Sequence, residues 1–258
     1  MTERVASVDG LRGVLAALVF ATHLLAATGD TRGSALSLGC VLGFFVVSGY
    51  VLTRGWRGRY LGFLVRRFVR LWPTYALCVT IGGWLIQDPA PESVYIWFPF
   101  VPFERQPRQD PVVWSLYIEV WAMPLMPVLV WLARRPLAAC AAAAALTASA
   151  RAGGDFYFGA FFILGAVFAH RRLASPLLES APAQWLGRIS YSLYLSHTLV
   201  IWGLQIAAPA YWAWLAIPAS FAVGELFSRL VEAPSIALSR RAGSWVERLG
   251  ARSVMAAA

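Results

Sequence analysis

Long apolar runs separated by short polar connections are the dominant pattern of the chain. Six runs, each of roughly the 20 residues that a helix needs to cross a bilayer, cover residues 11–28, 36–53, 68–86, 112–133, 189–208 and 211–231. Two shorter apolar stretches, 136–150 and 156–169, predict a hairpin that crosses only a thinned bilayer or crosses it incompletely. The pattern therefore predicts one all-α polytopic membrane bundle over residues 1–258, with about eight transmembrane helices and a basic tail at 232–258.

Small residues and prolines add local detail to these predicted helices. Gly39 and Gly43 form a G-x-x-x-G pair, which usually marks close packing between membrane helices. Pro124 and Pro127 predict a kink in the fourth helix, because proline removes a backbone donor and clashes with the preceding turn. Pro234 follows the last apolar run, and we expect that helix to end there.

The composition supports a membrane protein. Hydrophobic residues make up 59% of the 258 residues, and the mean hydropathy is +0.62. Charged residues make up only 14%, whereas a soluble domain averages about 25%. The net charge of +9 comes from arginine alone, and these arginines lie between the apolar runs. This placement favours the membrane face over nucleic acid as their partner. No metal is expected, because the cysteines lie singly in apolar runs without metal-ligand spacing, at Cys40, Cys78 and Cys140.

The arginines also predict how the chain is oriented. With the N-terminus in the cytoplasm, 18 of the 22 arginines fall on the inner side. The four that fall outside are Arg32, Arg105, Arg108 and Arg151. Because cytoplasmic connections carry an excess of positive charge, both termini are predicted to lie in the cytoplasm and the chain in the cell (inner) membrane. The polar, aromatic segment 88–111 becomes an outer interfacial loop, and the first helix is expected to be retained rather than cleaved.

The first helix carries one arginine near its start and one histidine deep in its apolar run. Arg12 and His23 are eleven residues apart. Eleven residues make about three helical turns, so the two side chains lie close to one face and roughly 16 Å apart along the axis. An ionisable group within the bilayer is costly, and function is its default interpretation. A neutral histidine hydrogen-bonded to a neighbouring helix is the structural alternative.

A cluster of arginines opens the third helix. The spacing of Arg66, Arg67 and Arg70 places Arg70 beside both of the others on one helix face. Guanidinium groups bind phosphate in a bidentate manner, so the cluster is a candidate phosphate-binding site. An ordinary positively charged flank of a membrane helix is the alternative.

The fourth helix carries a carboxylate in apolar surroundings. Ser115 and Glu119 lie one turn apart, and Glu119 sits well inside an apolar run, where a charge is expensive. We expect Glu119 either to orient or stabilise a catalytic histidine or to form a structural ion pair with an arginine. The seventh helix begins with a hydroxyl-rich stretch that runs from Ser190 to His197, for which hydrogen bonds between helices are the simplest interpretation.

Taken in order, these motifs resemble those of the acyltransferase 3 family of membrane acyltransferases. The motifs that match are D-G-L-R-G at 9–13 with His23, the glycine–aromatic–Ser-Gly part of 41–49, R-R-F-V-R-L-W-P-T-Y at 66–75, W-S-L-Y-I-E at 114–119, S-Y-S-L-Y-L-S-H at 190–197 and E-A-P at 232–234. Each motif is weak alone, but the ordered set covers nearly the whole chain and is specific.

The resemblance implies an O-acyltransferase. It implies transfer of an acyl group, commonly acetyl from acetyl-CoA, to a hydroxyl of an acceptor such as a cell-envelope glycan, lipopolysaccharide, peptidoglycan or a macrolide. The family's Arg-x10-His pattern falls on Arg12 and His23, and its R-x-x-R pattern falls on Arg67 and Arg70. The expected partners are therefore acyl-CoA, a hydroxyl-bearing acceptor and membrane lipid.

These expectations assign a role to each candidate residue. Arg66, Arg67 and Arg70, with Arg12 nearby, are expected to bind the CoA headgroup at the cytoplasmic face. A neutral His23 would deprotonate the acceptor hydroxyl, or carry the acyl group as an acyl-histidine. Glu119 would support the imidazolium that forms, and Ser115 would donate to the oxyanion.

Two other functions use the same polar residues. A transporter or flippase of a lipid-linked glycan would use them as a substrate path. A shortened, non-catalytic membrane partner is the other alternative, because the chain is shorter than is usual for the family. The chain shows no internal repeat, which disfavours the transporter.

Overall fold

The computed structural model describes residues 5–87, 110–150 and 155–257, so the predicted outer loop lies almost entirely outside the described residues. Within these ranges the chain is helical and contains no strand, which confirms the all-α prediction. The helices are α1 (Ala6–Ala27), α2 (Ser34–Gly55), α3 (Tyr60–Leu85), α4 (Trp114–Ala122), α5 (Met126–Ala133), α6 (Pro136–Ser149), α7 (Phe158–Phe168), α8 (Ala181–Ala207), α9 (Trp212–Phe227) and α10 (Ala233–Ala257).

The helices differ in whether their length suits a membrane crossing. In the described ranges, four continuous helical segments are long and apolar enough to cross a membrane, and they are Ala6–Ala27, Ser34–Gly55, Pro111–Ala133 and Trp212–Gly250. With 14 and 11 residues, α6 and α7 reach only about 21 and 16 Å at 1.5 Å per residue, short of a hydrocarbon core about 30 Å thick. The eight predicted segments all coincide with helices, whereas the number of crossings and the orientation stay predictions.

Proline has different effects at two places. At Pro124 and Pro127 the regular α-helix is interrupted, because a 3-10 turn, Met123–Leu125, lies between α4 and α5, and the kink itself stays a prediction. At Pro234 the predicted helix end is wrong. A π-helical turn, Ser228–Glu232, joins α9 to α10, and the helical path continues through the proline. The wider π turn relieves the clash that a proline ring makes with the carbonyl of the preceding turn.

Glycines allow α2 and α7 to approach each other at backbone distance. A Cβ on Gly49 would lie 2.1 Å from the carbonyl oxygen of Phe162, and one on Gly165 would lie 1.9 Å from a carbonyl oxygen of α2. The predicted close packing at the G-x-x-x-G pair holds only at Gly43, where a Cβ would lie 3.2 Å from the Leu15 side chain of α1. Gly39 faces open space and Gly43 faces only a leucine side chain, so the backbone contact lies further along α2.

Candidate functional site

The contact between α1 and α8 sets the geometry of the site. Gly13 and Gly187 lie where the two backbones touch, and a Cβ on either glycine would come within 2.4 Å of backbone atoms of the other helix. His23 and His197 each follow their glycine by ten residues. Because both helices rise by about 1.5 Å per residue and run in the same direction, the two histidines meet about 15 Å beyond the glycines.

A chain of hydrogen bonds joins three side chains at this meeting point. His197 Nδ1 lies 3.1 Å from the carbonyl oxygen of Leu193, which can only accept, so Nδ1 carries the hydrogen. His197 Nε2 is then the acceptor for His23 Nδ1–H at 2.9 Å. His23 Nε2 is left with its lone pair directed at Ser37 Oγ, 3.2 Å away. We assign the tautomers of both neutral rings from this chain of bonds.

The two histidines differ in their exposure. His197 is fully buried and packs edge-on against Phe20, with 6.0 Å between the ring centroids. His23 is half-buried and stands one turn before the end of α1. His23 is therefore the member of the pair that an external molecule can reach.

A separate cavity gathers the candidate anion-binding residues. Its volume is about 790 Å³, with the solvent at its mouth included, and it lies among α1, α2, α3, α4 and α8. Arg12 from α1 lines it together with Arg67 and Arg70 from α3, and Glu119 from α4 lies among them. Within the described chain neither Arg12 nor Arg67 forms an ion pair. The cavity therefore offers guanidinium donors to an anion.

The third guanidinium, that of Arg70, lies beside the buried carboxylate of Glu232. The π turn directs its side chain into the bundle, where the side chain is only 5% exposed. Glu232 Oε2 accepts a hydrogen bond from Ser192 at 2.9 Å, and its Oε1 lies 3.9 Å from Arg70 Nη2. Arg70 Nε is buried and has no hydrogen-bond partner in the described part of the chain. One carboxylate thus positions Arg70 without saturating its donors.

A pair of hydroxyl groups, one from α4 and one from α8, lines the cavity. Ser115 Oγ and Tyr194 Oη, both lining residues, are hydrogen-bonded at 2.8 Å, and the Phe44 ring packs edge-on against Tyr194. Tyr194 lies one helical turn before His197, with 6.1 Å between the ring centroids. His23 does not line the cavity. Tyr194 therefore stands between the arginine cavity and the histidine pair.

The structure places Arg66 apart from the other arginines. Its guanidinium forms an ion pair with Glu247 of α10, and Arg59 pairs with the same carboxylate at 2.7 Å. Arg66 is not among the residues that line the cavity. The ion pairs join the start of α3 to the C-terminal helix.

The structure thus brings together most of the predicted residues, in two neighbouring groups. Arg12, Arg67, Arg70, Glu119 and Ser115 share the cavity, while His23 lies beyond it. His197, and not Glu119, contacts the imidazole of His23.

Sequence reasoning missed three residues of this arrangement. Ser37 carries no motif signal, because its contact with His23 depends on how the connection after α1 turns. His197 ends the hydroxyl-rich stretch 190–197, which indicates hydrogen bonds between helices but not the contact with His23. For Glu232 the sequence predicts only a helix end, although its place before Pro234 is a signal that can indicate a deformed and functional turn.

Comparison with known proteins identifies a family for more than half of the chain. A family model described as an acyltransferase domain, that of the acyltransferase 3 family, matches residues 5–154. The matched range contains Arg12, His23, Arg67, Arg70 and Glu119. No curated protein and no solved structure matches the chain.

Proposed function

The chain belongs to the acyltransferase 3 family, and on this premise we propose that it transfers an acyl group, acetyl in the simplest case, from acyl-CoA to a hydroxyl group. As a member of that family it is a membrane acyltransferase, and its long apolar helices agree with a membrane setting. The proposed acceptor is a carbohydrate of the cell envelope or a secondary metabolite, and the proposed location is the cell membrane.

The observation that carries the proposal is the convergence of Arg12, Arg67 and Arg70 on one cavity. The phosphate groups of CoA are suitable partners for guanidinium groups, which bind phosphate through two parallel hydrogen bonds. The unpaired state of Arg12 and Arg67 among the described residues supports binding of an anion there. Arg66, which pairs with Glu247 outside the cavity, would add positive charge to the surface by which CoA reaches the cavity.

His23 is the general base in this proposal. Its Nε2 takes the proton of the acceptor hydroxyl as the hydroxyl oxygen attacks the acyl carbonyl carbon. The imidazolium that forms is stabilised through Nδ1–H, which donates to His197. His23 stands one turn before the C-terminal end of α1, and because this end is predicted to face outward, the acceptor would enter from the outer side.

The acyl-CoA arm must connect the two groups of residues. Arg12 and His23 are separated by roughly 16 Å along α1, and the arm would pass Tyr194 to place the thioester near the imidazole. Ser115, which lines the cavity and is hydrogen-bonded to Tyr194, is the proposed oxyanion donor. The surroundings of Glu119 favour charge balance with the arginines over direct support of the imidazolium.

Purified protein in lipid nanodiscs would test the proposal. We expect radiolabelled acetyl-CoA to bind, and CoA thiol to be released when an acceptor-containing envelope fraction is added. Mass spectrometry of envelope glycans and secreted small molecules, from cells with and without the protein, would identify the acetylated acceptor. His23→Gln should bind acetyl-CoA normally and transfer about 10²–10⁴-fold more slowly, because glutamine keeps the hydrogen bonding but not the basicity.

The alternative functions predict different results. A transporter or flippase would move a lipid-linked glycan without consuming acetyl-CoA, and a non-catalytic partner would release no CoA under any condition. Wild-type turnover by His23→Gln would contradict the role of the imidazole, whereas failure of the wild type to bind acetyl-CoA would contradict the proposed donor.

A further inference from the structure

The hydroxyl group that His23 Nε2 faces belongs to the protein itself. Ser37 stands in the first turn of α2, is only 9% exposed and lies with its Oγ 3.2 Å from the basic nitrogen. His23 is in turn oriented by His197, whose own ring is fixed by the carbonyl of Leu193. A hydroxyl, a base that contacts it and a third group that orients the base form the arrangement of an activated serine nucleophile.

We propose that Ser37 is a catalytic nucleophile and carries the acyl group as an ester between the two half-reactions. This inference rests on the proposed function, because it requires acyl-CoA as the donor. In place of one direct transfer, the acyl carbonyl carbon undergoes two successive displacements, and His23 is the base in both. The juxtaposition of Ser37, His23 and His197 is the observation from which we infer it.

The first half-reaction acylates the serine. Ser37 Oγ attacks the thioester carbonyl carbon while His23 Nε2 takes the hydroxyl proton. The adduct then collapses, the carbon–sulfur bond breaks, and the proton on His23 passes to the sulfur of the departing CoA. The place of Ser37 in the first turn of α2 favours negative charge developing on its oxygen, because the positive end of the helix dipole lies there.

The second half-reaction passes the acyl group to the acceptor. The acceptor hydroxyl gives its proton to His23 Nε2 and attacks the carbonyl carbon of the Ser37 ester. The bond between that carbon and Ser37 Oγ breaks, and the serine oxygen regains the proton from His23. No oxidation or reduction occurs, and the protein returns to its starting state.

An exchange experiment tests the acylation step without any acceptor. Wild-type protein in nanodiscs is incubated with acetyl-CoA and radiolabelled CoA, and the appearance of label in acetyl-CoA is measured. An acyl-enzyme predicts exchange, because free CoA can attack the Ser37 ester and reverse the first step. Direct transfer predicts no exchange, because no acyl group leaves CoA until the acceptor is present.

Four variants identify the nucleophile. Ser37→Ala should reduce exchange at least about 100-fold while acetyl-CoA binding stays at the wild-type level. Ser34→Ala is the matched control, since Ser34 lies one turn earlier on α2 and its hydroxyl bonds to the carbonyl of Thr31. Ser37→Cys should be acylated to a thioester that neutral hydroxylamine removes. The double variant of Ser37→Ala and His23→Gln should lose no more activity than either single variant, because the two residues act as one unit.

Acid-quenched wild-type protein should carry an acetyl group on the peptide that contains Ser37. Exchange by Ser37→Ala at the wild-type rate would overturn the inference, as would an acetyl group on His23. Acetyl-CoA binding and acceptor acetylation without exchange would overturn this inference alone and leave the proposed function standing. Absence of acetyl-CoA binding by the wild type would overturn both.

Discussion

The neighbours of His23 determine which of its ring nitrogens is basic. The carbonyl of Leu193 fixes the His197 tautomer, and His197 fixes that of His23, so the lone pair falls on Nε2. His197 is thus a positioning residue that supplies an acceptor, the task a carboxylate performs in the familiar serine triad. A neutral partner is suited to apolar surroundings, where a buried carboxylate would cost several kcal/mol.

Substitution of His197 tests this positioning role. The contact with His23 predicts that His197→Ala and His23→Ala reduce transfer to a similar extent. His197→Leu should reduce transfer by about 10²-fold or more through loss of the acceptor, and His197→Gln should recover part of it because its amide oxygen can accept. Acetyl-CoA binding should be unchanged in both variants. Equal transfer rates in His197→Leu and His197→Gln would show that His197 contributes through packing alone.

The arginines of the cavity should govern donor affinity. Arg67→Ala and Arg70→Ala each remove charge-assisted hydrogen bonds worth about 1.5–3 kcal/mol. The Kd for acetyl-CoA should therefore rise roughly 10- to 150-fold in each variant. Arg70→Lys should recover only part of the affinity, because lysine lacks the planar fork. Arg66→Ala should weaken binding less, since Arg66 is held by Glu247 outside the cavity.

Arg57→Ala is the matched control for these arginine variants. Arg57 is exposed in the connection between α2 and α3, and it lies outside the cavity lining. Equilibrium binding of radiolabelled acetyl-CoA to protein in nanodiscs is the measurement. Wild-type affinity in both cavity alanine variants would show that the cluster is only a positively charged flank of a membrane helix.

Helix contacts through glycine determine where the functional side chains meet. The contact of Gly13 with Gly187 sets α1 and α8 in register, and the contacts at Gly49 and Gly165 press the short α7 against α2. A short apolar helix that cannot cross the hydrocarbon core alone is thereby held by the rest of the bundle. Backbone contact of this kind tolerates no side-chain atom, so these positions depend on glycine.

Gly187→Ala tests the register of the two helices. The added Cβ would lie 2.4 Å from the carbonyl oxygen of Asp9, so α1 and α8 must separate. Overpacking of this kind costs about 1–3 kcal/mol, and we expect a lower Tm in detergent together with loss of transfer. Gly39→Ala is the control, because its Cβ would meet nothing within 4 Å. Equal Tm and equal transfer in the two variants would contradict the contact.

In the proposed orientation, the proposed donor and acceptor would reach the bundle from opposite sides. The arginine cavity lies toward the cytoplasmic ends of α1 and α3, where CoA is available, and His23 lies toward the outer end of α1. The basic α10 packs against the start of α3 through Glu247, on the same predicted cytoplasmic side. The orientation thus separates donor binding from acceptor entry.

Cysteine labelling tests the orientation. In a variant without the three native cysteines, a single cysteine at Arg57 should be shielded from a membrane-impermeant thiol reagent in intact cells, and one at Thr31 should react. The expectation rests on the placement of 18 of 22 arginines on the inner side. Reaction at position 57 with protection at position 31 would reverse the predicted map.

The helices, the membrane setting and the family could all be predicted from local patterns. Helical hydrogen bonds join residues four apart, so apolar runs such as 11–28 and 36–53 predict helices without knowledge of the rest of the chain. The ordered motifs identify Arg12, His23, Arg67, Arg70 and Glu119 in the same way, because each motif lies within one helix. Proline also acts locally, as the break between α4 and α5 confirms.

Contacts between helices could be decided only by the tertiary structure. His23 and His197 are 174 residues apart, and no periodicity in either helix indicates that they meet. Their contact follows from the glycine contact between α1 and α8, just as the place of Glu232 beside Arg70 follows from a π turn. The partition of the candidate residues between a cavity and a histidine–serine cluster arises in the same way. Such contacts depend on how closely the backbones approach and which rotamers then fit, and these are properties of the packed bundle.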